Sequence, residues 1–336
     1  MKAFITGGAG FVGASVADFL LSQGHSVTIY DIREASSEPS AKAPKAPIEP
    51  LPAMQFIRGD VNDLPALKAA MAHHDAVFHF AANSDIALGA YDTSIDLQMS
   101  TIATHNVLEA MRKSDICSIT YFSGSGVYGD AHGSEMREDA GPLLPVSLYG
   151  AGKLAAEGLI SAYSHLFGMD ALIFRPANIV GGKQTHGVIF DFVRKLRTNP
   201  YQLEVLGDGK QTKSYIHISD VIEAIHLAHN HHGSAWAAQA LGEAASVSEH
   251  PGVTVYNLAS ADEVSVDWIA QTVISHMKLS DVEINYTGGA SGWPGDVPVI
   301  RLSTEKLRSV GWRPQLSSKE AITMAVQEIL SDKTEF

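Results

Sequence analysis

Tyr149 and Lys153 are the residues of this chain whose types and spacing suit proton transfer. They bound the run Tyr149-Gly150-Ala151-Gly152-Lys153, and on a helix two residues four apart share one face. A phenol titrates near pH ~10 and is a poor base at neutral pH. A neighbouring ammonium stabilises the phenolate and lowers that value, and an oxidised nicotinamide ring would add a second positive charge. The tyrosine can then take the proton of a hydroxyl while hydride leaves the same carbon for a cofactor. Such a pair also arises by chance, so its meaning depends on a nucleotide site elsewhere in the chain.

That site is written at the start. Met1 to Gly13 read as an apolar strand, a turn with Gly7, Gly10 and Gly13 at intervals of three, and a helix opening with Phe11 and Val12. Glycines there allow a tight turn, bring backbone N–H groups to a pyrophosphate and let the helix pack on the sheet. Asp31 ends the second strand, where a carboxylate accepts both adenosine ribose hydroxyls and repels a 2′-phosphate. That favours NAD over NADP, with Arg33 two residues on as a complicating cation. Asp60 and Val61 follow the third strand on the expected path of the adenine. Phe80, Ala81 and Ala82 end the fourth, with two small side chains that let backbone lie against the cofactor.

Strand and helix patterns alternate through the first half. Apolar or β-branched runs cover 27–30, 54–58, 76–80, 116–122 and 171–175, and helical stretches cover 64–72, 95–112 and 146–167. Alternation of this kind predicts an α/β fold, a Rossmann-type doubly wound parallel sheet. Residues 1–175 are expected to form the NAD-binding domain with the Tyr/Lys helix. Residues 176–336 are expected to form a smaller mixed α/β substrate-binding portion, with some segments returning to the Rossmann core. Segments 35–53 and 231–252 read as surface insertions. The pairs His73-His74 and His231-His232 lack carboxylate or helical partners and read as solvated, so no metal is expected.

Bulk properties narrow the class. A length of 336 residues with no apolar run long enough for a membrane span and no secretory signal predicts a cytoplasmic protein. A net charge of −13 argues against nucleic acid as a partner. The lone cysteine, Cys117, lies in an apolar run and reads as a core residue.

These motifs resemble one family along most of the chain. The run Thr6 to Gly13, Gly59-Asp60, His79 to Ala82, Ser123 to Gly129, Tyr149 to Lys153 and Arg175 to Gly181 carry the resemblance. So do Gly207 to Gln211, Tyr215 to Asp220 and Gly311 to Pro314. The chain is similar to extended short-chain dehydrogenase/reductases of the NAD-dependent sugar epimerase/dehydratase family, in the UDP-glucose 4-epimerase-like branch. The resemblance implies inversion at C4 of a UDP-sugar through a transient 4-keto intermediate, with NAD retained between cycles. It also implies Pro176 beside the cofactor and a homodimer built on the helices at 95–112 and 146–167. UDP-glucose/UDP-galactose is the expected substrate pair. UDP-glucuronic acid is the alternative, and a nucleotide-sugar dehydrogenase or reductase is a further one. A non-catalytic NAD sensor is disfavoured by Tyr149 and Lys153.

Two departures from the family matter. It has Ser or Thr four residues before the tyrosine of Val-Tyr-Gly, and here Gly124 stands there. Ser125 is the preferred replacement hydroxyl; Ser123 or a bridging water are the others. The next two positions, where family dehydratases carry an acid, are Ser125 and Gly126, which argues against dehydration. In the nucleotide half, Lys213 and Trp293 replace two arginines, and Arg301 is a candidate substitute. Asn178 and Asp296 match substrate contacts, and Gln202 to Val205, including Glu204, would lie along the uracil. Lys183, His186, Val188 and Arg194 surround the loop after Gly182, where a cation would meet a uronic acid.

Overall fold

The computed structural model describes residues 1–33, 54–231, 252–289, 292, 293, 295–297 and 299–331. The expected insertion at 35–53, most of that at 231–252 and His232 lie outside the described residues.

Seven strands form one parallel sheet in the order β12-β7-β5-β4-β1-β2-β3. They are β1 (Lys2–Thr6), β2 (Ser26–Asp31), β3 (Met54–Arg58), β4 (Ala76–His79), β5 (Ser118–Phe122), β7 (Asp170–Pro176) and β12 (Val253–Leu258). The chain winds outward from β1 through β2 and β3, then crosses back to place β4 on the other side of β1. The crevice between the carboxyl ends of β1 and β4 is therefore the switch point, where ligands of doubly wound sheets bind.

Helices cover both faces. The α1 (Phe11–Ser22) and α6 (Ile218–His231) helices bury Val16, Leu20, Val221 and Ile225 against Phe78, Phe174 and Tyr256. Across the sheet, α2 (Leu64–Met71), α3 (Ala103–Arg112) and α4 (Leu148–Phe167) bury Leu67, Leu108 and Ile160 against Tyr30, Tyr121 and Ile173. The ends of α4 follow from its sequence. Ser147 caps its start, accepting from Gly150 N–H at 3.1 Å, and Gly168 ends it in the left-handed conformation.

One local expectation is refined and one corrected. Residues 95–112 are helical as expected, but Leu97–Ile102 take the wider π form before α3. Cys117 is not a core residue, because β5 begins only at Ser118 and the thiol is left exposed at the strand's amino end.

The remaining elements build a second body of small sheets. Strand β8 (Asn178–Val180) pairs with β11 (Tyr215–His217), and β9 (Gln202–Val205) with β14 (Glu283–Tyr286). A four-stranded sheet joins β13 (Val264–Ser265), β10 (Thr212–Lys213), β15 (Val299–Leu302) and β6 (Glu135–Met136). Their core is filled from α5 (Val188–Thr198), α7 (Val266–His276) and the final α9 (Ser318–Ser331). The short α8 (Glu305–Ser309) precedes Trp312, which is fully buried with its indole N–H on the Asp220 carbonyl at 3.0 Å. Residues 253–258 return from this body to extend the large sheet.

Candidate active site

The glycine turn is shaped by close approaches. Gly7 has a φ of +67°, and a Cβ there would lie 2.5 Å from the Ala81 nitrogen. The turn after β1 thus presses on the end of β4, at the switch point. A Cβ on Gly13 would lie 2.4 Å from the Gly7 carbonyl oxygen, so only glycine lets α1 start this close to the turn. Gly10 precedes the helix without a side-chain cap, and its first turn holds no acidic residue. Its free N–H groups face the turn as an anion site. Phe11 and Val12 anchor the helix against the core.

The Asp31 carboxylate is buried beside this turn. It accepts from Ala9 N–H at 3.0 Å and from Arg33 N–H at 3.0 Å, while Arg33 Nε approaches to 3.4 Å. Asp60 is exposed, its side chain accepting from Asn62 N–H at 2.8 Å, and Val61 is buried. Phe80, Ala81 and Ala82 are half-buried along the crevice, and Pro176 is buried at the end of β7. A glycine cradle, helix N–H groups and a ribose carboxylate together fit NAD.

Tyr149 and Lys153 lie on α4 above the end of β5. Lys153 is buried, donates to the Phe122 carbonyl at 2.7 Å and has its Nζ 5.6 Å from the centre of the Tyr149 ring. Burial brings the Lys153 ammonium down to about 8, with Glu157 and Asp96 opposing that fall. Tyr149 moves against expectation: burial first, and the Asp96 charge second, push its phenol up to about 12. Lys153 is not among the causes of that shift; an oxidised nicotinamide ring, when bound, would add a positive charge that lowers it.

Gly124 is the position that faces this phenol. A Cβ there would sit 3.7 Å from Tyr149 Oη, in ordinary contact. The backbone at Gly124 is extended, with φ −178° and ψ 161°, and the ladder runs on from β5 through Ser123 N–H to the Phe174 carbonyl. Extended backbone points successive side chains to opposite sides, so Ser123 is directed away from the side that Gly124 faces. The Ser123 hydroxyl is buried without a partner among the described residues, and Ser125 opens a 3-10 turn.

Of the predicted substrate residues, the structure groups three. Lys213 pairs with Asp296 at 2.5 Å, and its ammonium lies 5.1 Å from the Trp293 ring centre. Asn178 donates to the Ser214 carbonyl at 3.2 Å, one residue from Lys213. Arg301 does not join them. Lys213 is opposite Ile300 in the register, which turns Arg301 to the other face, where it pairs with Glu263 at 2.7 Å. Lys183 pairs with Asp18 on α1 at 2.5 Å, and Arg194 with Asp191 at 2.9 Å, both at the surface. His186 lies in the field of Arg33 and Asp85, and burial and Arg33 lower its pKa. Val188 starts α5 against the second core, and Gln202 and Glu204 are on the exposed side of β9.

Three groups of site residues escaped sequence reading. A buried chain runs Ala81 N–H, Thr6, His79, Thr104 and the Ser100 carbonyl, through contacts of 3.4, 2.7, 3.1 and 2.5 Å. Thr104 gives its one proton to Ser100, so it accepts from His79 Nε2–H; His79 Nδ1 then accepts from Thr6. Burial, with Lys153 second, lowers His79 to about 3 and keeps it neutral. A second network joins Arg175 to Glu157 at 2.6 Å and to Tyr128 Oη at 2.9 Å, tying β7 to α4 one turn beyond Lys153. The third is Asp96, in the turn before α3. The motif runs gave no signal for Asp96, since nothing in the spacing marks which polar residue of a helix faces inward.

A glycine-turn cradle at the switch point of a parallel sheet, with a Tyr–Lys pair beside it, is the arrangement of an NAD-dependent enzyme. Residues 3–240 match the NAD dependent epimerase/dehydratase family, and the chain belongs to it. It is 29% identical over 331 residues to a putative UDP-glucose 4-epimerase of Methanocaldococcus jannaschii, covering 96% of each chain. It is 28% identical over 246 residues to a dTDP-glucose 4,6-dehydratase of an Actinoplanes species, covering 68% of this chain and 72% of that one. A crystal structure of UDP-galactose 4-epimerase superposes with a TM-score of 0.80 at 33% identity, covering 98% of this chain and 99% of the other. MoeE5 in complex with UDP-glucuronic acid and NAD gives 0.79 at 25% identity, covering 98% of each. NAD is the cofactor.

Proposed function

We propose that this protein is a UDP-sugar 4-epimerase of the UDP-glucose/UDP-galactose type. The Tyr149 phenol beside the cofactor crevice, with no carboxylate at the two positions after Gly124, supports this reading. Ser125 and Gly126 offer none. Asp96, the carboxylate in Tyr149's field, is 1% exposed, and a Cβ on Gly89 would lie 2.4 Å from its Oδ2. Loss of water from C5 and C6 needs an acid within reach, so epimerisation is favoured over dehydration. The 33% identity to UDP-galactose 4-epimerase, against 25% to MoeE5, favours a neutral hexose over a uronic acid.

In this mechanism Gly7, Gly10, Gly13 and Asp31 would hold NAD, which would supply a reversible hydride acceptor. Tyr149 would take the O4 proton as the alcohol is oxidised and return it to O4 of the epimer when the carbonyl is reduced. Lys153 keeps a positive charge beneath the phenolate. Lys213, Asn178 and Trp293 receive the nucleotide diphosphate end. The subunits of the proposed homodimer would meet through α4, where Ala151, Ala155 and Gly158 are small and exposed.

The test is to release the cofactor from purified protein by denaturation and identify it. Separate samples are then incubated with UDP-glucose, UDP-glucuronic acid and dTDP-glucose, and products followed by NMR. Interconversion of UDP-glucose and UDP-galactose without added NAD is expected. A 4-keto-6-deoxy product, or conversion of the glucuronate alone, overturns the assignment. Tyr149→Phe should retain bound NAD and lose about 10²–10⁴-fold in kcat; full activity in that variant refutes the assigned base.

A further inference from the structure

Asp96 is a buried carboxylate that the mechanism above does not use. It is 1% exposed; Oδ1 accepts from Asn83 Nδ2 at 3.1 Å, and Oδ2 has no hydrogen-bond partner among the described residues. A half-satisfied buried carboxylate is costly, which makes its position informative.

Two glycines make room for it. A Cβ on Gly89 would collide with Asp96 Oδ2 at 2.4 Å. A Cβ on Gly152 would lie 2.9 Å from the Asp96 carbonyl oxygen and 3.0 Å from Ser100 Cβ. Gly152 stands between Tyr149 and Lys153, so the π-helical turn is pressed onto the catalytic face of α4. Asn83 follows Ala82, which ties the carboxylate to the cofactor crevice as well.

We propose that Asp96 is a positioning residue whose fixed negative charge sets the ionisation of Tyr149 and Lys153 together. The inference rests on the reading of Tyr149 as the base. The charged groups acting on Asp96 are Lys153 on α4 and Asp85 after β4; beyond them Glu157 acts on Lys153 and on Tyr121 of β5, and Lys153 acts on His79 of β4. Glu157, paired with Arg175, supports the Lys153 charge more than Asp96 does, but Asp96, its own pKa raised by burial, is the carboxylate whose charge acts on both Tyr149 and Lys153. Its charge opposes phenolate formation and supports the ammonium. The phenol is thereby held protonated until the oxidised cofactor is in place, and Lys153 is held charged at neutral pH.

Removing one negative charge lowers both pKa values, so both limbs of a pH profile move the same way. A packing defect alone lowers the rate at every pH and moves neither limb. The primary test needs no sugar: the phenolate absorbance of the NAD-loaded protein is titrated, and the Tyr149→Phe curve is subtracted to isolate Tyr149. In Asp96→Asn the Tyr149 midpoint should fall by roughly half to one pH unit, and Asp96→Glu should restore it. Asp96→Ser, with folding checked by circular dichroism, gives the same shift if the asparagine variant does not fold. An unchanged midpoint in a folded neutral variant overturns the proposal. Full turnover in Tyr149→Phe instead overturns the reading of the base, so the two failures are distinct.

Discussion

At the residue scale the site depends on charge placed around one phenol. Lys153 is near enough to stabilise a phenolate, yet Tyr149 sits at about 12 because burial opposes any charge there. Gly124 adds a second peculiarity, a position in contact with the phenol and without a hydroxyl. Its extended backbone accepts any residue, and the 3.7 Å clearance admits a small one. Gly124→Ser should therefore fold with an unchanged melting temperature and equal or exceed the parent kcat, whereas Gly124→Val should lose about tenfold or more by crowding the phenol. A serine variant tenfold slower than the parent would show that no hydroxyl is wanted there.

At the element scale, α4 serves the site on one side and exposes small residues on the other, the face of the proposed homodimer. Its inner face carries Gly152, Lys153, Ala156 and Ile160, all buried. On the outside, Ala151, Ala155 and Gly158 are exposed, and a Cβ on Gly158 would meet nothing within 4 Å. Ala103 and Ala110 of α3 are buried within the monomer instead. The proposed homodimer through α4 predicts that the parent protein sediments as a dimer and Ala155→Arg as a monomer with NAD still bound; a dimer persisting in that variant removes α4 from the interface. The spacing of Tyr149 and Lys153 was legible because an i,i+4 pair declares its shared face. The π turn at 97–102 was not, because nothing in the residue types of LQMSTI marks a change from i,i+4 to i,i+5 hydrogen bonding. Cys117 misled for a related reason: an apolar run does not mark where pairing begins.

Over the whole molecule, the first six strands of the large sheet were readable from alternating patterns, and β12 was not. Residues 253–258 read VTVYNL and follow a stretch of low-complexity composition, so only tertiary pairing with β7 reveals their place. Global stability also carries the mark of one buried imidazole. An unfolded His79 takes up a proton near pH 6.5, whereas the folded one resists until about 3. The unfolded state thus binds more protons in that window, and stability falls as pH drops through it, by up to about 1.4 kcal/mol per pH unit. Urea titrations from pH 8 to pH 4 should show this slope, and His79→Gln should flatten it despite a lower plateau. Parallel slopes in the two proteins would contradict a neutral buried His79.

The late position of β12 has a consequence for biosynthesis. When a ribosome has delivered residues 1–176, β7 is complete but one of its edges has no neighbour, and more than seventy further codons are read before 253–258 arrive. At about 5–20 residues per second that edge is open for several seconds. Nascent chains on one messenger are close together during that interval, and an open strand edge pairs readily with another. Pausing before residue 253 should therefore raise the yield of insoluble chain more than pausing after residue 258.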